Sequence, residues 1–208
     1  TMLQHTRGVL IMTPQASMVL TGKKALEYSG SVAAEDERGI GGVDRIMGPN
    51  GQSQYLAESL GDAYRILFEH YRYTYRRRQD RRVAPFATSD SPTRSILAEP
   101  YLGSEPFNTI GEIFSDATNP GRKKPFAIRE VMRAVIDRDS DALERFAHMA
   151  DADTAVIWDA HLGGHAACVI GFESRPIQRR GMIPIDGPDT WTGGTLFPQS
   201  SRKVARAI

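Results

Sequence analysis

Gly22, Gly30, Gly39, Gly41, Gly42, Gly48 and Gly51 punctuate one stretch of this chain, Val19 to Ser59. They separate a strand-like apolar run from a short polar strand and a helix. Glycine has no Cβ, so it permits tight turns and close approach of backbone to a ligand. The same stretch holds no obvious nucleophile, metal cluster or phosphate loop. A site built here works mainly through backbone N–H groups and shape. Composition narrows the partners further. A formal net charge of +1 over 208 residues gives no global pull toward nucleic acid or an acidic membrane. The single cysteine, Cys168, excludes an internal disulfide and fits a reducing compartment. No apolar run approaches the roughly 18 residues of a membrane helix, and no signal peptide opens the chain. These features point to a cytoplasmic protein. Both ends read as cut: the first residue is Thr1, and the terminal segment Ser200–Ile208 reads as a helix begun at a Ser200 or Ser201 cap and stopped early.

Pattern organises the chain into two similar halves. Gly8–Gly22 reads as two buried strands, VLIM and MVL, interrupted at Pro14. Lys23–Tyr28 reads as a short helix ending at Gly30, residues 31–51 as glycine-rich loop and turn, and Gln52–Glu58 as a strand. Leu60–Tyr75 reads as a helix with Leu60, Tyr64, Leu67, Phe68, Tyr71 and Tyr75 along one apolar face. From Arg76 to about Asn119 regularity fails, and a linker across the outside of the protein is expected. Pro125 opens a second ordered region. Ile128, Val131, Met132, Val135 and Ile136 form a helical stripe, a further helix is expected over Ala142–Met149, and strands Thr154–Asp159 and Ala166–Phe172 flank Leu162-Gly163-Gly164 as a hairpin. Arg175–Phe197, with glycines at Gly181, Gly187, Gly193 and Gly194, reads as loop.

Several constellations invite chemistry. His161, His165 and Cys168 with Asp159 suggest metal ligands, but a cysteine inside an apolar strand acts as a small hydrophobe, and the spacing is not that of a zinc site. Arg72, Arg76, Arg77, Arg78, Arg81 and Arg82 among Tyr71, Tyr73 and Tyr75 suit nucleic acid, a docking surface for a partner domain, or a solvated helix end. Glu35, Asp36 and Glu37 offer acid–base groups or simply face water. Gly41-Gly42 and Gly193-Gly194 each follow a strand–loop unit. Their recurrence suggests two related pockets, or one shared between halves.

Several of these segments, in order, resemble the carboxyltransferase component of biotin-dependent acyl-CoA carboxylases, the acetyl-CoA and propionyl-CoA carboxylase family. Leu20-Thr21-Gly22 followed by Ile40-Gly41-Gly42 looks like its LTG…LGG segment. Gly48-Pro49-Asn50-Gly51 and then Gln54 to Ala63 is similar to its NG-V-x-H strand and following helix, with Gln54 in place of histidine. Pro125-Phe126-Ala127-Ile128-Arg129-Glu130-Val131 resembles P-[FY]-D-x-R-E-V, with Ala127 in place of the acid. Gly171-Phe172-Glu173-Ser174-Arg175 resembles G-x-E-[ST]-R, and Phe197 to Lys203 resembles H-P-N-S-x-x-K.

The resemblance implies an α/β, crotonase-like ββα superhelix with tandem N and C domains, here partial. It divides the chain into residues 1–75, the end of the N domain, a linker at 76–119, and the start of the C domain at 120–208. It implies that carboxyl passes from carboxybiotin on a carrier domain to the α-carbon of a short acyl-CoA, acetyl-CoA to malonyl-CoA, as in fatty acid biosynthesis. ATP and Mg would be needed only at a separate biotin carboxylase. Partners would be that carboxylase, the biotin carboxyl carrier and further copies of the chain through N-to-C domain contacts, with no nucleic acid, membrane or metal. Backbone amides stabilise the developing enolate in such sites. The resemblance puts the family's main amides outside this chain, leaves the catalytic residues unknown and predicts that the fragment alone is inactive. It leaves Thr21, Gly22, Gly41, Gly42, Asn50 and Gly51 lining the acyl side, and Leu196, Phe197, Ser200 and Lys203 near the C-domain entrance. Two other readings remain: a biotin-linked decarboxylase or other crotonase-fold acyl-CoA enzyme, and a non-catalytic binding segment using the arginine–tyrosine cluster.

Overall fold

The computed structural model describes residues 8–30, 33, 35–180 and 183–208. Thr1, residues 31, 32 and 34 of the glycine-rich loop, and Gly181 lie outside the described residues.

The fold is organised by an antiparallel hairpin, β4 (Ala155–Leu162) and β5 (His165–Phe172), with β3 (Leu143–Glu144) on the other edge of β4. The hairpin closes at Gly163-Gly164, where φ is +57° and +78°. Two positive φ values in a two-residue loop match the strand twist, and glycine meets that demand without a Cβ penalty. Both turn amides donate to one carboxylate, Gly163 to Asp137 Oδ1 at 2.6 Å and Gly164 to Oδ2 at 2.7 Å.

β4 is buried on both faces: one is apolar, and the other mixes Ala155 and Ile157 with Asp159 and His161, whose polar atoms are partnered. Side chains alternate across a strand. Val156, Trp158 and Ala160 pack on Met132, Ile136 and Ile128 of the α5 region, where α5 spans Ile128–Val135. Ile157 faces the other way, into Phe146, Met149, Ala152 and the C-terminal helix α6 (Pro198–Ala207). The expected stripe of α5 is thus the one that packs, with Val131 turned toward a further cluster. That cluster, Tyr101, Phe107, Ile110, Ile113, Ala127 and Ala134, corrects the reading of an external linker. Part of residues 76–119 carries core: α4 (Ile110–Phe114) docks on α5, and the fully buried Asn119 side chain bonds Ile113 O and the Lys124 backbone. Its apolar residues are spaced by irregular turns, so no helical or strand period announces them.

The N-terminal half differs more from expectation. Of the two strands expected in Gly8–Gly22 only β1 (Ile11–Met12) forms, and Gln52–Glu58 shortens to β2 (Tyr55–Leu56), paired parallel with β1. The MVL run instead meets Gly41 through Met18 N–H to Gly41 O, 2.9 Å. Helix α1 (Lys23–Gly30) is as expected. The glycine-rich segment is not simply loop, since it holds α2 (Glu37–Gly41), capped by Asp36, and a π-helical turn at Val43–Met47. Helix α3 (Leu60–Thr74) has the Ser59 cap typical of such termini. Its expected apolar face points the wrong way: Leu60, Tyr64, Phe68, Tyr71 and Tyr75 are exposed, while Ile66 and Tyr73 are buried. Tyr73 wins its place through its hydroxyl, which donates to Asp141 O at 2.5 Å.

The helix expected over Ala142–Met149 is replaced by β3 and turns. Phe146 sits at φ +55°, which no helix tolerates, and its N–H donates to Gln54 O at 2.9 Å. Within Arg175–Phe197 a small ladder forms between β6 (Ile177–Gln178) and β7 (Thr190–Trp191). Helix α6 starts one turn earlier than expected: Phe197, not Ser200 or Ser201, is its cap and Pro198 its first residue. Among the described residues no helix is long and apolar enough to cross a membrane.

Candidate functional site

A cleft of about 490 Å³ lies where the two halves meet. The N-terminal half supplies Val43, Asp44 and Arg45 from the π-helical turn, Pro49 and Leu56, and the C-terminal half supplies His148 to Asp151, Asp153 and Arg180. Two backbone bonds hold the walls in place, Phe146 N–H to Gln54 O and Ala150 N–H to Pro49 O, each 2.9 Å. Val43, Pro49, Leu56, Met149 and Ala150 supply its apolar lining, alongside Asp44, Arg45, His148, Asp151, Asp153 and Arg180. Its charges are already matched: Arg180 pairs with the buried Asp153, Arg45 with Glu35, and Asp44 with Arg38. Burial first, and then Arg180, holds the His148 imidazole below its usual range. The cleft suits a neutral or apolar moiety better than a bare phosphate.

The glycines expected to line a pocket do a different job locally. A Cβ on Gly41 would lie 2.4 Å from Met18 O, and one on Gly42 2.5 Å from Arg38 O. Gly41 thus seats α2 against Met18, while Gly42 lets the chain turn closely over the last turn of α2 itself. Gly193 has the same character, with Ser174 O at 2.0 Å from a Cβ. Thr21 is exposed at the start of α1, and Gly22 abuts the Glu37 carboxylate, which accepts from Lys23 N–H at 2.8 Å. Asn50 and Gly51 adjoin Pro49 at the cleft and touch α6, because Arg206 Nη1 donates to Asn50 O at 2.6 Å. At the other end Leu196 is exposed and Phe197 packs on Trp191, with ring centroids 4.4 Å apart. Ser200 is buried against Thr154, hydroxyl to hydroxyl at 2.7 Å. Lys203 is also buried, its Nζ donating to Ala155 O at 2.7 Å, and desolvation pulls its pKa down to about 8. The structure therefore brings Asn50 and Gly51 to the C-terminal helix, and keeps the other predicted site residues in two separate groups.

Of the remaining candidates, Asp159, His161 and the acidic trio take structural roles, whereas His165, Arg76, Arg77, Arg78, Arg81 and Arg82 are exposed, and so is Cys168, expected to act as a small hydrophobe. Asp159 pairs with Arg145, and His161 accepts or donates through Nδ1 to Ser140 Oγ at 2.9 Å, ringed by Tyr73 and Phe86. Among the described residues no group of three or more His, Cys, Asp or Glu side chains is placed to hold a metal ion. Glu35 pairs with Arg45, Asp36 caps α2 and Glu37 receives Lys23 N–H. Sequence reading missed His148, Met149, Asp153 and Arg180. Their segments carry no period or motif, and only the packing of the two halves assembles them.

Residues 4–208 match the family described as the carboxyl transferase domain. The chain belongs to that family. Its α/β structure is part of the crotonase-like carboxyltransferase fold. Among solved structures, this carboxyl transferase domain chain is similar to transcarboxylase 12S with hydrolysed methylmalonyl-coenzyme A bound (TM-score 0.59, 18% identity, 79% of this chain, 29% of that one). A second transcarboxylase 12S structure, with methylmalonyl-coenzyme A and methylmalonic acid, gives the same TM-score and identity over 28% of its length. A single-chain, multi-domain long-chain acyl-CoA carboxylase matches at TM-score 0.55 and 16% identity, over 83% of this chain and 15% of that one. The chain thus spans less than a third of these structures. No curated protein matches it.

The family implies biotin as the carboxyl carrier, and a ureido oxygen needs a set of free amides facing one space. In this carboxyl transferase domain chain the N–H groups of Gly42, Gly48, Gly51 and Gly194 already donate to carbonyls, and those of Gly163 and Gly164 to Asp137. These glycine amides do not fit as a biotin site.

Proposed function

We propose that this chain forms part of the carboxyltransferase of a biotin-dependent acyl-CoA carboxylase, moving a carboxyl group from carboxybiotin to the α-carbon of an acyl-CoA. The observation that carries the reading is the family match over residues 4–208. The cleft between the halves supports it, since its apolar residues and its charges, each already paired, leave a surface that an acyl or pantetheine segment can use. A short acyl-CoA is the substrate proposed, acetyl-CoA to malonyl-CoA first. The chain would divide into the end of an N domain at 1–75, a connecting segment at 76–119 and the start of a C domain at 120–208. Thr21, Gly22, Gly41, Gly42, Asn50 and Gly51 would stand on the acyl side, and Leu196, Phe197, Ser200 and Lys203 toward the C-domain entrance. A biotin carboxylase using ATP and Mg, a biotin carrier and further copies of the protein would complete a cytoplasmic assembly serving fatty acid biosynthesis.

The test uses the whole protein that carries this chain, with its carboxylase and carrier partners and labelled bicarbonate. Acetyl-, propionyl- and a long-chain acyl-CoA are offered separately, because the similar structures include both methylmalonyl and long-chain enzymes. Label in acetyl- or propionyl-CoA supports the proposal. Label only in the long-chain product overturns the short-chain assignment, and label in none overturns the reaction class.

A further inference from the structure

The turn that carries Pro49 into the cleft wall is held from α6. Gly48-Pro49-Asn50-Gly51 presents two consecutive carbonyls to the C-terminal half. Pro49 O accepts from Ala150 N–H at 2.9 Å, and Asn50 O accepts from Arg206 Nη1 at 2.6 Å, across 156 residues. Gly51 lies at φ +71°, and a Cβ there would meet Arg206 Nη1 at 2.5 Å and Met149 Sδ at 2.7 Å. The turn is therefore sandwiched between the guanidinium and a thioether that also lines the cleft. A charge-assisted bond to a carbonyl is stronger and more directional than a neutral one. It fixes the peptide plane between Asn50 and Gly51, and with it the position of Pro49 in the wall.

We infer that Arg206 is a positioning residue: α6 sets the geometry of the acyl-side turn 48–51 through it, so the C-terminal half adjusts the pocket wall carried by the N-terminal half. The catalytic part of this inference rests on the carboxyltransferase reading, and the structural part does not.

The experiment compares wild type with Arg206→Gln, Arg206→Lys and Arg202→Gln in the whole protein. Arg202 is an exposed arginine on the same helix with no place in the cleft. Amide hydrogen exchange is read over residues 48–53, and KM and kcat are read for the acyl-CoA turned over. Expected in Arg206→Gln is exchange faster by roughly fivefold or more in this turn, and KM raised about five- to tenfold with kcat within about twofold, the scale of one exposed charge-assisted bond. Arg206→Lys recovers part of both, and Arg202→Gln changes neither. Unchanged exchange in Arg206→Gln overturns the inference whatever the kinetics. Faster exchange with unchanged KM, in a wild type that turns over acyl-CoA, overturns the link to the acyl side. If wild type carboxylates no acyl-CoA, the functional reading falls, and the exchange data alone decide whether Arg206 holds the turn.

Discussion

Asp159, on β4, receives the guanidinium of Arg145 in a two-pronged pair, with Arg145 Nε donating to Oδ2 at 2.6 Å and Nη2 to Oδ1. The Tyr55 hydroxyl of β2 reaches the same carboxylate at 3.4 Å and His70 Nδ1 on α3 at 3.2 Å. Arg145 Nη1 also donates to Ala207 O at the end of α6. One buried pair thus joins β2, α3, β4 and α6.

Removing one charge leaves the other buried and unpaired. Asp159→Ala is expected to lower stability by ~3–5 kcal/mol, whereas the apolar double variant Arg145→Met/Asp159→Leu regains much of the loss. Urea unfolding of the three proteins checks this. A double variant no more stable than the single one would show that the pair contributes beyond mutual neutralisation.

Gly51 and Gly163 separate two costs that are usually mixed. Both have positive φ, but a Cβ at Gly163 meets nothing within 4 Å, while at Gly51 it meets Arg206 and Met149. Gly163→Ala should cost ~1 kcal/mol from backbone strain alone, and Gly51→Ala the same plus ~1 kcal/mol for the Arg206 bond it displaces, because the atoms met there are the ends of flexible side chains that can move aside. Equal shifts in the unfolding midpoint would contradict the packing at Gly51.

Asp137 is the acceptor for both hairpin amides. Asp137→Ala should destabilise the chain by ~2–3 kcal/mol, with Asp137→Asn intermediate because one oxygen acceptor remains. Faster amide exchange at Gly163 and Gly164 should accompany the loss, and unaltered exchange there would count against the role.

Lys203 gives a pH signature. Burial lowers its pKa from 10.5 to about 8, so the unfolded chain binds the more protons between those values and stability rises with pH there. The penalty is in full force below pH 8 and fades as pH climbs toward 10.5. Relative to Lys203→Met, wild type should therefore gain on the order of 2–3 kcal/mol across that window. Parallel stability curves for the two proteins would refute the desolvated lysine.

The hairpin was legible because Gly163-Gly164 between apolar runs has one good turn solution, and local chemistry alone decides it. The stripe of α5 was legible for a similar reason, since period and burial agree there. Helix α3 was legible as a helix but not in its orientation. Periodicity groups Leu60, Tyr64 and Phe68 without saying that the hydroxyl of Tyr73 finds a carbonyl on the opposite side. The Ala142–Met149 segment failed because Phe146 takes a left-handed conformation imposed by its bond to Gln54, a partner far away in sequence. The candidate site follows the same rule. Asn50-Gly51 could be read as a turn from its residues, but His148 and Arg180 reach the cleft, and Arg206 reaches the turn, only through tertiary packing, which no local pattern encodes.

The parallel ladder of β1 and β2 has a kinetic consequence. Ile11 must find Tyr55 across a long intervening segment, whereas Leu162 and His165 are neighbours across a two-residue turn. Closing the longer loop costs more chain entropy before any contact repays it. The hairpin should therefore be protected first during refolding and the β1–β2 pair last. In pulse-labelled exchange, the amides of β4 and β5 should lose their label competence before those of Tyr55 and Ala57, so the wall of the cleft built on Val43 and Leu56 would be the final part of the chain to order.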